Sequence, residues 1–417
     1  MLHTLSHPAP GDRMRPTGGE PQLTEQVPME TMVRDVLEAI SRPAEKAVGL
    51  PGAAFHDPAF LALENERLFA RCWVAAASLS DIPEAGDAVP VEVAGLPIVI
   101  LRDRDGEIRA FHNVCRHRAM TVVSEPCKGL QALRCPWHSW TYGLDGRLAA
   151  TPNLGGIGKP EAEGFDKNDL GLKPVRAGTW LGIVFLNLDG QADTLESHVA
   201  PLRERYAAFD FDCLRHGDTT ERVFEANWKL TIEGGIEDYH LPWVHPQAVN
   251  GDVVWTPGTE WVDDRYVGVT GKIDYDDPDR TPVTDVRRKT QLPHFPGLPD
   301  DVDVNGGFIC QFPNLGVGVF HDHVVTTIFT PRGPEQTHAR KDYLFVGDAA
   351  DDPALSEARE QVIAGWITIG DQDKPIVEEV HRNHRTRGRA GIDTMFSPFW
   401  EGAVQHFQKF IAGYLAR

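Results

Sequence analysis

At 417 residues the chain is long for one small core and suits two domains, and its 41% hydrophobic and 24% charged residues are those of an ordinary globular protein. A formal charge of −20 excludes a general affinity for nucleic acid, whose phosphates would repel it. No run approaches the roughly 18 to 20 apolar residues of a membrane span, and the opening MLHTLSHPAPGDRMRP has no apolar leader segment, so no membrane association is expected and the cytoplasm is the expected compartment.

Residues 1–45 are rich in Pro, Gly and charge and read as a loose tail carrying one short amphipathic helix, METMVRDVLEAI. Residues 46–84 read as a helical segment. Within DPAFLALENERLFARCWVAAA, Phe60, Leu63, Phe69 and Trp73 can share a helix face, and Asp57 is placed to cap it. From 85 to 190 the pattern changes to short alternating runs. Asp105-Gly106 and Asp145-Gly146 mark hairpins, and WLGIVFLNL reads as a buried strand, so this stretch is a small all-β domain. Residues 191–417 form a mixed second domain, with strand-like GFICQF and HVVTTIFT ahead of helical SEAREQVIAGWITIG and EGAVQHFQKFIAGYLA. The expected fold class is α+β.

Six cysteines are sparse for this length and read as thiols or metal ligands. Two of them fall in a cluster inside the β domain, Cys115-x-His117 and, seventeen residues on, Cys135-x-x-His138. Zinc accepts two Cys and two His, but usually pairs Cys with Cys and His with His. A Rieske [2Fe–2S] cluster puts two thiolates on one iron and two imidazoles on the other, which two loops each giving one Cys and one His serve directly. Spacing favours the second arrangement.

A second constellation lies in NWKLTIEGGIEDYHLPWVH. If a helix runs through it, Glu233, Glu237 and His240 share one face at i, i+4 and i+7 while Ile232, Ile236 and Tyr239 take the other. Pro242 is expected to end that helix and let His245 fold back toward His240. Downstream, Val362, Trp366, Ile369, Asp373, Val377 and Val380 form a helical stripe that Asp373 interrupts. A carboxylate on an apolar face wants a cation or strong donors. Two histidines and one carboxylate make the facial triad of non-haem Fe(II) oxygenases; backbone amides around a buried Asp are the alternative, and Asp371 is the rival ligand.

CRHR together with CPWHSWTYGLDGRL resembles the Rieske oxygenase family, and NWKL followed by Glu-x-x-His-x4-His resembles the mononuclear-iron motif of its α subunits. The likeness runs from about residue 50 to the C-terminus. It implies an N-terminal all-β Rieske domain and a C-terminal helix-grip (START/Bet v1-like) catalytic domain, assembled as a homotrimer or trimer-based oligomer. It implies Cys115, His117, Cys135 and His138 as cluster ligands, His240, His245 and Asp373 as ligands of a mononuclear Fe²⁺, and Glu237 as the acid that links a cluster histidine of one subunit to an iron-site histidine of the next. Glu at 237 is familiar from the branch acting on choline, carnitine and betaines, where many ring dihydroxylases have Asp. Ala119 stands where the family commonly has Gly, and Gly234 where it usually has Asn.

The implied activity is oxygenation of a small organic substrate with O₂, NAD(P)H supplying electrons through a partner reductase, directly or by way of a ferredoxin. No dinucleotide-binding glycine fingerprint occurs in the chain itself. Monooxygenation, including oxidative dealkylation of a quaternary ammonium compound, is favoured; aromatic cis-dihydroxylation and a non-catalytic Rieske electron carrier are the alternatives. Trp243, Trp255, Trp261 and Tyr266 could face an ammonium group, though core or interface roles are their usual employment. His321, His323, His381 and His384 are left outside the ligand sets, as surface or supporting residues.

Overall fold

The computed structural model describes residues 29–246, 252–254, 261–269, 272–274, 280–281, 284–287, 291–299 and 307–417. The METMVRDVLEAI helix forms as Met29–Ile40. Asp57 accepts a hydrogen bond from the Ala59 N–H at 2.8 Å and caps Pro58–Glu64, with Pro58 in the first helical position where its missing N–H costs nothing. The sequence expectation fails beyond Phe69. The helix ends there, and VAAAS becomes the strand Val74–Ser78, so Trp73 leaves the face of Phe60. VAAAS has little strand propensity of its own, and antiparallel pairing with the buried Ile183–Asn187 strand holds Val74–Ser78 extended.

The first sheet has six strands in the order Val74–Ser78, Ile183–Asn187, Pro174–Trp180, Ile108–His112, Leu96–Arg102, Ala88–Val93. Every residue of Ile183–Asn187 is buried, as WLGIVFLNL suggests. Gly106 turns the Leu96–Arg102/Ile108–His112 hairpin at φ +88, and Asp103 holds the loop by accepting from the N–H groups of Asp105 and Glu107. A three-stranded sheet, Leu133–Arg134, Thr141–Tyr142 and Leu148–Ala150, is turned by Gly146 at φ +82. A side chain there would collide with the Phe111 ring, which lies 2.3 Å from the position of a Cβ.

The second sheet is antiparallel and seven-stranded, in the order Leu214–Phe224, Thr337–Val346, His323–Pro331, Leu315–Val319, Gly307–Gln311, Tyr266–Val269, Trp261–Val262. The long helix Ser356–Arg387 packs Ala358, Val362 and Trp366 against Phe320, Tyr343 and Phe345 of this half of the molecule. The C-terminal helix Gly402–Leu415 packs instead with Met29–Ile40 and Pro58–Glu64. N-terminal helices, a β domain, and then a sheet packed against a long helix make the α+β architecture expected. Among the described residues no helix is long and apolar enough to cross a membrane.

Candidate active site

The two Cys/His loops are near copies of one another. Cys115 N–H donates to Met120 O and Cys135 N–H to Trp140 O, each at 2.8 Å; Ala119 and Ser139 N–H return to the Cys115 and Cys135 carbonyls at 3.0 and 3.1 Å. Ala119 and Ser139 both sit at φ +58. These paired turns bury both sulfurs and leave His117 and His138 exposed, their ring centroids 4.5 Å apart. His117 stacks on the buried Trp140 at 4.8 Å. Burial raises the Cys135 thiol, and the adjoining Cys115 raises it further against the backbone N–H groups of Trp137 and His138. A bound metal would favour the ionised form of the Cys135 thiol that burial disfavours.

Tyr142, which sequence spacing did not single out, shares a hydrogen bond between its O–H and Cys115 Sγ at 3.2 Å while accepting from Arg116 N–H at 2.9 Å. Its only sequence signal is its place in a two-residue strand just past Cys135. Trp137 is half-exposed, with the Arg118 guanidinium 4.5 Å over its ring, and Cys127 is a free thiol, so no disulfide joins the loops.

The second constellation converges by a route the helical spacing did not foresee. Asn227 caps a short helix, Trp228–Glu233, by accepting from Lys229 N–H at 3.1 Å. Trp228 Nε1 and Lys229 Nζ both donate to the buried Glu64, at 2.9 and 2.6 Å, which pins this segment to the Pro58–Glu64 helix. Gly234-Gly235 ends the helix, so Glu233 does not share a face with Glu237 and His240, and Tyr239 swings out to stack on Trp400 at 5.5 Å. Gly234 itself has an ordinary helical φ of −64, and an added Cβ would meet nothing nearer than 3.9 Å. Pro242 starts a helix instead of ending one. It lies in the first turn of Leu241–Val244, with His240 just before that turn and His245 just after it.

One helical turn thus presents both imidazoles to Asp373 on the long helix. His245 Nε2 is 2.8 Å and His240 Nε2 3.9 Å from the same Asp373 Oδ1, with the two ring centroids 5.2 Å apart. The three ligand atoms lie within 4.8 Å of one another, close enough to share one metal ion. Each ring has its other nitrogen engaged. His245 Nδ1–H donates to Gln372 Oε1 at 2.8 Å, and His240 Nδ1–H donates to Glu237 Oε1. That fixes the tautomers and turns both Nε2 lone pairs toward the carboxylate. His245 Nε2 is buried without a hydrogen-bond partner, which a cation between it and Asp373 would satisfy. The donor set therefore fits an oxygen-activating ferrous ion. Asp371, the rival, points away and holds Arg222 at 2.5 Å.

The apolar stripe carrying Asp373 continues through buried His381 and His384 instead of Val380, which is 41% exposed. These histidines are core residues, as is His323, whose Nδ1 meets Asp322 at 2.6 Å; none of the three is a surface residue. Trp243 is 80% exposed and Tyr266 is buried in core, so neither faces the site, while Trp255 and the Trp261 side chain lie outside the described residues. The aromatic lining comes from elsewhere. A cavity of about 490 Å³ opens beside His240, His245 and Asp373, walled by Phe308, Phe320 and Trp366.

The family model of the Rieske [2Fe-2S] domain matches residues 72–161, and that of the ring hydroxylating alpha subunit (catalytic domain) matches 211–417. The glycine betaine monooxygenase oxygenase subunit of Chromohalobacter salexigens is 28% identical over 373 residues, covering 84% of this chain and 82% of its own length. The carnitine monooxygenase oxygenase subunit of Acinetobacter baumannii is 27% identical, covering 84% of this chain and 90% of its own. The solved structure of the quaternary ammonium Rieske monooxygenase CntA with gamma-butyrobetaine has the same fold, with a TM-score of 0.71 at 22% identity over 91% of this chain and 98% of that one. The chain belongs to the Rieske non-haem iron oxygenases as an α subunit, an oxidoreductase whose [2Fe–2S] domain precedes an iron-dependent catalytic domain.

Proposed function

We propose that this chain is the terminal oxygenase of an NAD(P)H-driven system that receives electrons from a separate reductase, directly or through a ferredoxin, and monooxygenates a small quaternary ammonium compound. Cys115, His117, Cys135 and His138 hold the cluster, and His240, His245 and Asp373 the mononuclear iron. When bound, these groups supply one-electron transfer and dioxygen activation.

The chain's own residues orient and separate the participants. Gln372 and Glu237 hold the two imidazoles in one tautomer, and Phe308, Phe320 and Trp366 give the substrate space an apolar wall. Glu237 is the link between subunits of a homotrimer or trimer-based oligomer. Its Oε2 accepts from the N–H of His240 at 3.2 Å while Oε1 takes the His240 ring proton, which anchors the acid at the iron end of such a link. The buried, partnerless His245 Nε2 facing Asp373 beside a substrate-sized cavity carries the reading. The relatives named for glycine betaine and carnitine support the substrate class.

Aromatic cis-dihydroxylation is the second reading, favoured by the phenylalanine lining of the cavity. Incubating the protein, loaded with both metal centres and supplied with a reductase, with trimethylammonium compounds and with benzoate-like acids separates the two by product mass. Demethylated or singly hydroxylated products are expected; formation of aromatic diols alone would overturn monooxygenation.

A further inference from the structure

Among the charged side chains lining the cavity is Lys341, to which the proposed oxygenation assigns no role. It lies in the middle of the Thr337–Val346 strand, and its direct cross-strand partners are Thr220 on one side and Thr327 on the other. All three line the cavity, as does Tyr343, two residues along the same face of the sheet. The Lys341 ammonium sits 4.0 Å over the Trp366 ring.

The fully buried Lys229 shows what a structural role looks like. Lys229 Nζ is 2.6 Å from the Glu64 carboxylate, and both side chains are fully buried. Among the described residues no carboxylate forms an ion pair with Lys341; the neighbouring Asp342 points to the opposite face and is held by Arg340 and Thr219. Burial pushes Lys341 down to about 7, nearby Arg222 adds to the effect and Asp373 opposes it. A half-buried cation without a paired carboxylate is costly, and a ligand that brings an anion lowers the cost. The same ammonium covers a face of Trp366 that would otherwise suit a cationic ligand, so this end of the cavity is matched to negative charge. The hydroxyls of Thr220 and Tyr343 hydrogen-bond to each other at 3.0 Å, which leaves one O–H free to donate beside it.

Trp366 and Asp373 stand seven residues apart on one helix, roughly 10 Å along its axis. Lys341 and the three metal-ligand candidates therefore line one substrate-sized space at different levels of the long helix. We infer that Lys341 binds the carboxylate of the substrate, so the substrate is a small carboxylate-bearing molecule whose other end reaches His240, His245 and Asp373. This rests on the oxygenase reading of the cavity and narrows its substrate: an ammonium compound oxidised here carries its carboxylate at the far end.

Calorimetric titration of the full-length protein with two matched pairs tests this: a short trimethylammonio-carboxylate against its methyl ester, and benzoate against benzamide. The free acids should bind at least about tenfold tighter than their neutral partners, the scale of one charge-assisted contact. Lys341→Met should bring both ratios to within about twofold by removing that contact, and Lys341→Arg should retain most of the preference. No carboxylate preference in the unaltered protein, or one that survives in a folded Lys341→Met variant, would overturn the assignment. Because binding is read without turnover, a Lys341-dependent preference in a protein that oxygenates nothing would sink the proposed function and leave this inference standing. Turnover without any preference would do the reverse.

Discussion

His245 Nε2 and Asp373 Oδ1 face each other at 2.8 Å, yet the imidazole nitrogen, enclosed by protein, forms no hydrogen bond. Two lone-pair atoms held so close want a cation between them. Loaded protein should therefore carry about three irons per chain, two in the cluster and one here. His245→Ala should lower the count to about two, keep the paramagnetic signal of the reduced cluster, and cut oxygenation on the order of 100-fold or more. Two irons in the unaltered protein, unchanged in His245→Ala, would favour a non-catalytic electron carrier.

Gln372 reaches the same site through the ring it orients. With Oε1 accepting the His245 Nδ1 proton at 2.8 Å, it keeps Nε2 free for a metal. Gln372→Leu removes that acceptor and leaves all three ligands in place. Metal affinity, measured by competition with a chelator, should weaken about 10- to 100-fold, the usual effect of removing a hydrogen-bond partner behind a ligand.

The two Cys/His pairs and Asp373 stand out in the sequence because each breaks a local rule. Two Cys/His pairs have no zinc-like spacing, and Asp373 sits in an apolar helical stripe. The path to His240 and His245 was not legible, because Gly234-Gly235 and Pro242 admit either a weakened long helix or two short ones. Tertiary ties settle that choice, above all Trp228 and Lys229 on Glu64, whose partners are separated by 164 and 165 residues. Lys341 was invisible for a similar reason. A lone lysine in an alternating strand reads as solvent-facing until the long helix closes over that side of the sheet.

Ala119 illustrates a local cost that family comparison flags and geometry explains. At φ +58 its Cβ is strained, whereas glycine is not. Ala119→Gly should stabilise the cluster domain by about 0.5–1 kcal/mol, raising the thermal midpoint by roughly 1–3 °C. Ser139, at the same φ in the matching loop, accepts from Arg134 Nη2 at 2.8 Å, so Ser139→Gly should gain less. Equal gains at the two positions would count against backbone strain as the cause.

The Lys229–Glu64 pair joins the helix at residues 58–64 to the segment that delivers the histidines. Burial raises the Glu64 carboxyl and lowers the Lys229 ammonium, so each charge depends on the other. Lys229→Met should destabilise the protein by about 3–5 kcal/mol in urea unfolding, because Glu64 is left buried and unpaired. Adding Glu64→Gln should recover much of the loss by removing the orphaned charge.

Glu233 sets a pH dependence of opposite sign to an ordinary surface carboxylate. Burial pushes it up to about 7, against the Gln408 Nε2 donor at 2.9 Å and the Lys229 charge. Its folded value therefore lies above its unfolded one, near 4.5, so the folded state binds more protons between them. The stabilisation is full below the unfolded value and is lost as pH rises through about 7. In urea unfolding, stability should fall by about 2–3 kcal/mol more between about pH 5 and pH 8 in the unaltered protein than in Glu233→Gln, whose neutral amide does not titrate. A slope unchanged by that substitution would place the proton uptake on another group.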